Sequence, residues 1–220
     1  GVFAAGSGYV AMDDVAVHAT LGMAVVLDDC SASLTNVDLV GTIDGPQSSA
    51  LMLGTLFESD KVSVVGLAAT YADLSISNLN ITGFVGYGAA LYQSAATWNG
   101  GVLQWIVGVN VMNEASTLTL ENVHIKESLQ SRDAGSKRPS YGLVSSTGSS
   151  TNTNSVTIED IQGAGMLIHE AASNVHDTLK ISRCDATGVH VQNGSGVTEF
   201  VAAEFHENKK AGMSFLKAGQ

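Results

Sequence analysis

Only two prolines, two cysteines and ten lysines and arginines occur in the 220 residues of this chain, against twenty-one aspartates and glutamates. Each scarcity excludes something. Cys30 and Cys184 form no CxxC pair and no metal-ligand spacing, which removes zinc ribbons and dithiol redox motifs. A formal net charge of −11 repels phosphate backbones and anionic lipid, so no nucleic-acid binding is expected. No apolar run is long enough to cross a bilayer, so no membrane insertion is expected either. No segment carries the 3.6-residue apolar period of an amphipathic helix. The six histidines form neither HxH nor HExxH, so they read as surface residues, with His169 and His190 outward on neighbouring turns.

What remains is glycine, small polar residues and alternating apolar ones. Twenty-four glycines and a hydrophobic fraction of 45% describe a folded, turn-rich β protein. The stretch "VTIEDIQGAGMLIHE" at 156–170 returns as "LKISRCDATGVHVQN" at 179–193, offset by 23 residues. Val156 and Ile158 share one face of a strand, and Ile161 breaks the alternation. Ile161 faces inward only if the chain turns a corner between them, and Asp160 sits at that corner. Asp and Asn tolerate the left-handed backbone that a sharp corner requires. The same figure places corners at Asp14, Asn36, Asn78 and Asn122, with Arg183 and Glu204 in the last equivalent places. A second short strand follows each corner, and then one opened by glycine, as in "GMAVV" at 22, "GAALY" at 88, "GMLIH" at 165 and "GVHVQ" at 188, with "ALMLG" at 50 as a variant. Three short strands in about 22 residues make one turn of a triangular coil. One turn cannot bury its apolar residues alone, but stacked turns can.

This pattern of strand, Asn corner, strand and Gly-led strand resembles the right-handed parallel β-helix proteins, the pectate-lyase-like architecture of short β-helix repeats. The resemblance covers about residues 10–216. It implies an all-β, single-stranded, right-handed solenoid of about seven to eight rungs, one domain over 1–220. The opening "GVFAAGSGYV" and the lack of end caps suggest part of a longer bacterial protein, or end-to-end self-association.

Corner-to-corner spacings of 42, 44 and 38 residues from Asn36 to Asp160 exceed the bare 21 to 23 elsewhere, which places insertions over the middle rungs. The first covers about 54–72. The second, about 93–116, contains the alternating "LQWIVGVNV", with Trp98 beside a turn. The third, "KESLQSRDAGSKRPSYG" at 126–142, gathers Lys126, Arg132, Lys137 and Arg138, and the polar "SSTGSSTNTNS" at 145–155 reads as a turn. In polysaccharide lyases of this fold a basic side chain abstracts a proton beside a uronate. The resemblance therefore makes Arg132, Arg138 and Lys126 catalytic candidates, although no lyase motif matches residue by residue. Trp98, Tyr92, Lys137 and Tyr141 are the ligand-binding candidates, because an aromatic ring stacks on the apolar face of a sugar, while Trp105 reads as core. Outward carboxylates such as Asp38, Glu159 or Asp185 do not select a hydrolase pair. The adjacent acidic pairs Asp13–Asp14, Asp28–Asp29 and Glu159–Asp160 supply too few ligands for a calcium site, so no cofactor and no metal site is expected. Cys184 faces the core four or five rungs from Cys30, beyond disulfide reach, so two free thiols are expected.

The reading is a secreted or cell-surface β-helix scaffold that binds a polysaccharide or a cell-surface glycan through loops over its middle rungs. A polysaccharide lyase or glycoside hydrolase, and a structural stalk, are the alternatives.

Overall fold

The computed structural model describes residues 1–18, 22–43, 63–133, 136–138, 140–171, 173–193 and 196–216, with 63 and 131–138 by backbone alone. No described residue is helical. Nine strands stack in one parallel sheet, here the front sheet: β1 (Val2–Ala5), β3 (Gly22–Asp28), β5 (Ser63–Thr70), β7 (Val85–Tyr92), β9 (Val107–Glu114), β13 (Ser140–Ser146), β16 (Gly163–His169), β19 (Thr187–Gln192) and β22 (Ala211–Leu216). The second sheet follows the order β2 (Tyr9–His18), β4 (Ser31–Val40), β6 (Asp73–Thr82), β8 (Ala95–Gln104), β10 (Thr117–Ser128), β14 (Ser150–Asn154), β17 (Ser173–Asp177) and β20 (Val197–Val201). Strands β2 to β10 bend in mid-course, so their second halves form a third side, continued by β15 (Thr157–Ile161), β18 (Lys180–Ser182) and β21 (Glu204–His206). The eight strands of the second sheet count about eight turns.

Each turn is a triangle, and left-handed residues recur in three vertex columns. The first vertex runs Asp14, Asn36, Asn78, Gly100, Asn122, Ser155, Thr178, Ala202. The second runs Gly83, Trp105, Glu127, Asp160, Arg183, Glu207, and the third Asp29, Tyr71, Gln93, Ala115, Thr147, Glu170, Asn193. The asparagine column is tied from turn to turn: Asn36 Nδ2 donates to Asp14 Oδ1 at 2.9 Å, Asn78 Nδ2 to Asn36 Oδ1 at 3.1 Å and Asn122 Nδ2 to Asn99 Oδ1 at 3.0 Å.

The register corrects several sequence expectations. Asp160 and Arg183 are second-vertex residues, and the first vertex of their turns is Ser155 and Thr178. Glu204 is an ordinary strand position, and Glu207 holds the left-handed place. The 44-residue interval from Asn78 to Asn122 is two bare turns with Gly100 as the hidden vertex, so the second insertion does not exist. "LQWIVGVNV" is not one strand, because Trp105 turns the corner between β8 and β9. "KVSVVGLAA" holds most of β5, a full front-sheet strand pairing β3 and β7, while "ALMLG" at 50 and the rest of the first insertion lie outside the described residues. The polar stretch 145–155 ends β13, turns a vertex and supplies all of β14, with Thr151 and Thr153 buried.

The Gly-led strands all fall on the front sheet, for a steric reason. A Cβ on Gly66, Gly88, Gly142, Gly165 or Gly188 would lie 2.5–2.7 Å from a backbone oxygen of the next turn. Asn110 interrupts that column, and its Nδ2 bonds Ser128 Oγ and, at 3.2 Å, the Tyr141 carbonyl. Inside, the first turns are packed with Leu27, Leu34, Leu39, Leu67, Leu79 and Leu103, all fully buried, each worth about 2 kcal/mol of burial. Further along the interior becomes polar. Asn113 Nδ2 donates to Thr151 Oγ1, Thr151 Oγ1 to Ser145 Oγ, and Ser145 Oγ to Asn174 Oδ1, at 2.8, 2.8 and 2.9 Å. Cys30 and Cys184 are buried free thiols. The strands beside them, β4 and β18, are five steps apart through β6, β8, β10 and β15, roughly 24 Å.

Candidate functional site

Side chains on the front sheet alternate in and out, and the outward ones form rows in register. One row runs Met23, Val65, Tyr87, Val109, Tyr141. The next runs Val26, Ala68, Ala90, Met112, Val144, and the third Asp28, Thr70, Tyr92, Glu114, Ser146. Beyond the third row lies the vertex with Tyr71. Large rings therefore flank a floor of Ala68 and Ala90, and a shallow hollow of about 250 Å³ opens there, lined also by Thr70, Met112 and Glu114. Tyr71, Tyr92 and Tyr87 are 58, 43 and 38% exposed. Tyr71 meets Tyr92 edge to face with ring centroids 6.2 Å apart, an arrangement that fixes both rings. Tyr87 and Tyr92 stand roughly 16 Å apart along β7. A larger hollow of about 460 Å³ crosses β2 to β10, but its walls are small serines, threonines and alanines with Tyr9 as its single ring.

The two segments that leave the coil do so from one edge of this face. Ile43, Val107 and Leu129 form a small buried cluster, with Val85 and Trp105 packed against it. Leu129 bridges Val107, Leu129 N donates to the Ile106 carbonyl at 2.8 Å, and Ile43 N to the Gly83 carbonyl at 3.1 Å. Residue 43 precedes the segment 44–62, and Leu129 precedes a hairpin of β11 (Ser131–Asp133) and β12 (Ser136–Arg138).

The sequence-derived candidates separate. Tyr92 is on the hollow. Tyr141 is half-buried two turns from Tyr87 in the same outward row, and burial pushes its phenol pKa up. Arg132 stands opposite Lys137 and Ser131 opposite Arg138 in the hairpin; their side chains lie outside the described residues. Lys126 is on a different side of the triangle, in register with Glu159. Trp98 is not a surface platform. It points into the coil from β8, is 1% exposed, and donates Nε1–H to the Gly100 carbonyl at 2.9 Å. Trp105 is not core but half-buried at a vertex, with Nε1 2.6 Å from Glu127 Oε2. In a Trp105→Phe variant the remaining indole is expected to emit in the blue, to resist acrylamide quenching and to ignore added glycan. A ligand-dependent Trp98 signal would return it to the surface. Tyr71, Met112 and Glu114 were missed, although counting 22 residues back from Gln93 places Tyr71 at a vertex.

The third side carries a cluster of paired charges. Arg183 reaches Glu159 Oε2 at 2.5 Å and Asp160 Oδ2 at 2.7 Å, and His124 Nε2 lies 2.8 Å from Glu159 Oε1. Burial pulls the Glu159 pKa upward, but the hydrogen bonds and charges of Arg183 and His124 outweigh it and hold the carboxyl below its usual value. Arg183 does the same for Asp160, while burial opposes it. The acidic pair Glu159–Asp160 thus serves an arginine. No group of three or more His, Cys, Asp and Glu among the described residues is arranged to hold a metal ion.

Comparison with solved structures finds tailspike proteins at low identity and low TM-score. The enzymatically active domain of bacteriophage CBA120 tailspike protein 2 is 15% identical with a TM-score of 0.43, over 97% of this chain and 36% of that one. The Dettilon tailspike protein is 8% identical with a TM-score of 0.23, over 97% of this chain and 61% of that one. This chain thus spans about a third of the length of the first and under two thirds of the second. No curated protein matches. The model of the family described as the right handed beta helix region matches residues 63–219, and the chain belongs to that family.

Proposed function

We propose that the chain is a secreted or cell-surface scaffold that binds glycans on the outer face of its front sheet, at the hollow flanked by Tyr87 and Tyr92, with Tyr71 packed against Tyr92. One observation carries the reading: two partly exposed rings flank an alanine floor on the sheet, and a third, Tyr71, packs against one of them. The apolar face of a pyranose stacks on such rings, and its hydroxyls find Thr70 and Glu114 as partners. Among the described residues β1 and β22 are the outermost strands of the front sheet, and end-to-end self-association is a further contact of this reading.

Retention on immobilised polysaccharides tests the reading, with soluble product measured alongside. Tyr87→Ala and Tyr92→Ala are each expected to weaken binding roughly tenfold without unfolding the coil, since both rings stand outside it. Tyr9→Ala, on the other sheet, is expected to bind as the parent does. Equal loss in all three variants, or none, defeats the assignment. Release of shortened chains would replace the scaffold by an enzyme.

A further inference from the structure

We infer that the tyrosine hollow selects glycans that are uncharged or carry amino groups, and turns away uronate-bearing ones. The inference rests on the glycan-binding reading and adds the charge class of the ligand. The ionisable residues around the hollow are of one kind. Glu114 lines it, in register with Tyr92. Asp28 lies in the same outward row on the other side, past Thr70. Asp29 and Asp73 line a separate small hollow with Tyr71.

Of the cations whose side chains the structure describes, Lys126, Lys180 and Arg183 belong to the third side. Lys209 and Lys210 lie in the loop before β22, where Lys209 Nζ contacts Asp185 Oδ1 at 2.7 Å. None lines the hollow. Neighbouring strands are about 4.8 Å apart, so a ring seated on Tyr92 has the Glu114 carboxylate within a few ångströms. A uronate there meets like charge inside the Debye length, whereas a protonated amine gains a partner. A neutral N-acetyl sugar keeps the stacking and loses nothing.

Three oligomers of equal length separate the cases: glucosamine, N-acetylglucosamine and galacturonate, each titrated into the full chain at low and at high salt. The galacturonate oligomer is expected to bind at least tenfold more weakly than the other two. Salt is expected to weaken the glucosamine oligomer and leave the N-acetylglucosamine oligomer unchanged. Glu114→Gln is expected to lower glucosamine binding at least threefold and to remove most of its salt dependence. Preferential galacturonate binding that disappears in Tyr92→Ala overturns the charge assignment and keeps the glycan face. An unchanged ranking in Glu114→Gln also overturns it. Absence of binding to all three, or binding indifferent to Tyr92→Ala, removes the glycan face and this inference with it.

Discussion

Gly101→Ala is expected to cost the protein about 4 kcal/mol or more, enough to unfold a domain of ordinary stability. Gly101 sits just past the Gly100 vertex at φ +119°, where an L side chain is strained. A Cβ there would lie 2.1 Å from the Leu79 carbonyl oxygen and 2.8 Å from the Leu79 nitrogen. Those atoms are backbone of the turn below, so relief requires the two turns to part. Parting them exposes Leu79 and Leu103, both fully buried. Gly148→Ala is the matched control. Gly148 also has a positive φ, +72°, but nothing stands within 4 Å of the added carbon. Its cost is expected near 1 kcal/mol, from backbone strain alone. Urea midpoints of the two variants check this, and equal midpoints would mean that close stacking at the vertex is not what the glycine serves.

Acid is expected to weaken the fold well before its carboxylates titrate. His176 on β17 is fully buried, its Nδ1 3.1 Å from Thr153 Oγ1 and its ring 5.0 Å from that of Phe200. Its Nε2 has no hydrogen-bond partner among the described residues. Burial lowers its pKa from 6.5 to about 4. Between those values the unfolded chain binds a proton that the folded chain refuses, so stability falls as pH falls through 6.5, by about 1.4 kcal/mol per pH unit. The whole loss is about 3 kcal/mol and is complete near the folded value. Glu159 and Asp160 act lower on the scale. Their folded pKa values are depressed, so their contribution is present above the ordinary values of 4.5 and 3.8 and is lost below them. Urea midpoints between pH 6.5 and 4.5 therefore report chiefly His176. His176→Leu is expected to be less stable at pH 7, because Thr153 loses its partner, and much flatter across that window. A slope unchanged in the variant would place the acid response elsewhere.

The coil was legible where residue preference and geometry agree. Asp14, Asn36, Asn78 and Asn122 tolerate the left-handed backbone, so the first vertex could be read from them, and the glycine column announced the front sheet. The other vertices hold Trp105, Tyr71, Ala115, Thr147 and Glu170, which do not favour that backbone. Stacking of neighbouring turns imposes it there, and no local signal reveals a constraint supplied by the turn above. Asp160 was read as a first-vertex residue because an inward apolar residue follows either vertex, Val156 after Ser155 and Ile161 after Asp160. The polar interior was hidden for a different reason. Thr151, Thr153, Asn174 and His176 are buried, yet a sequence reading takes inward positions to be apolar, so β14 looked like a loop. Of the hollow, Tyr92 was singled out for its ring, whereas Tyr141 lies half-buried two turns from Tyr87 and does not line it. Trp98 was misplaced because the glycines beside it mark a vertex of the coil, not an exposed loop.

The small cluster of Ile43, Val107 and Leu129 bears on how such a molecule diversifies. Both excursions from the coil start at the same edge, against a ladder that also holds Val85 and Trp105. The framework fixes only the root, so whatever lies beyond it is an exchangeable cassette. One cassette can be lengthened, shortened or swapped while every rung keeps its register and its interior. Both roots, Ile43 and Leu129, stand in one ladder at the edge of the front sheet. The protein thus separates the part that must be exact from the part that is free to drift, and places the boundary at three side chains.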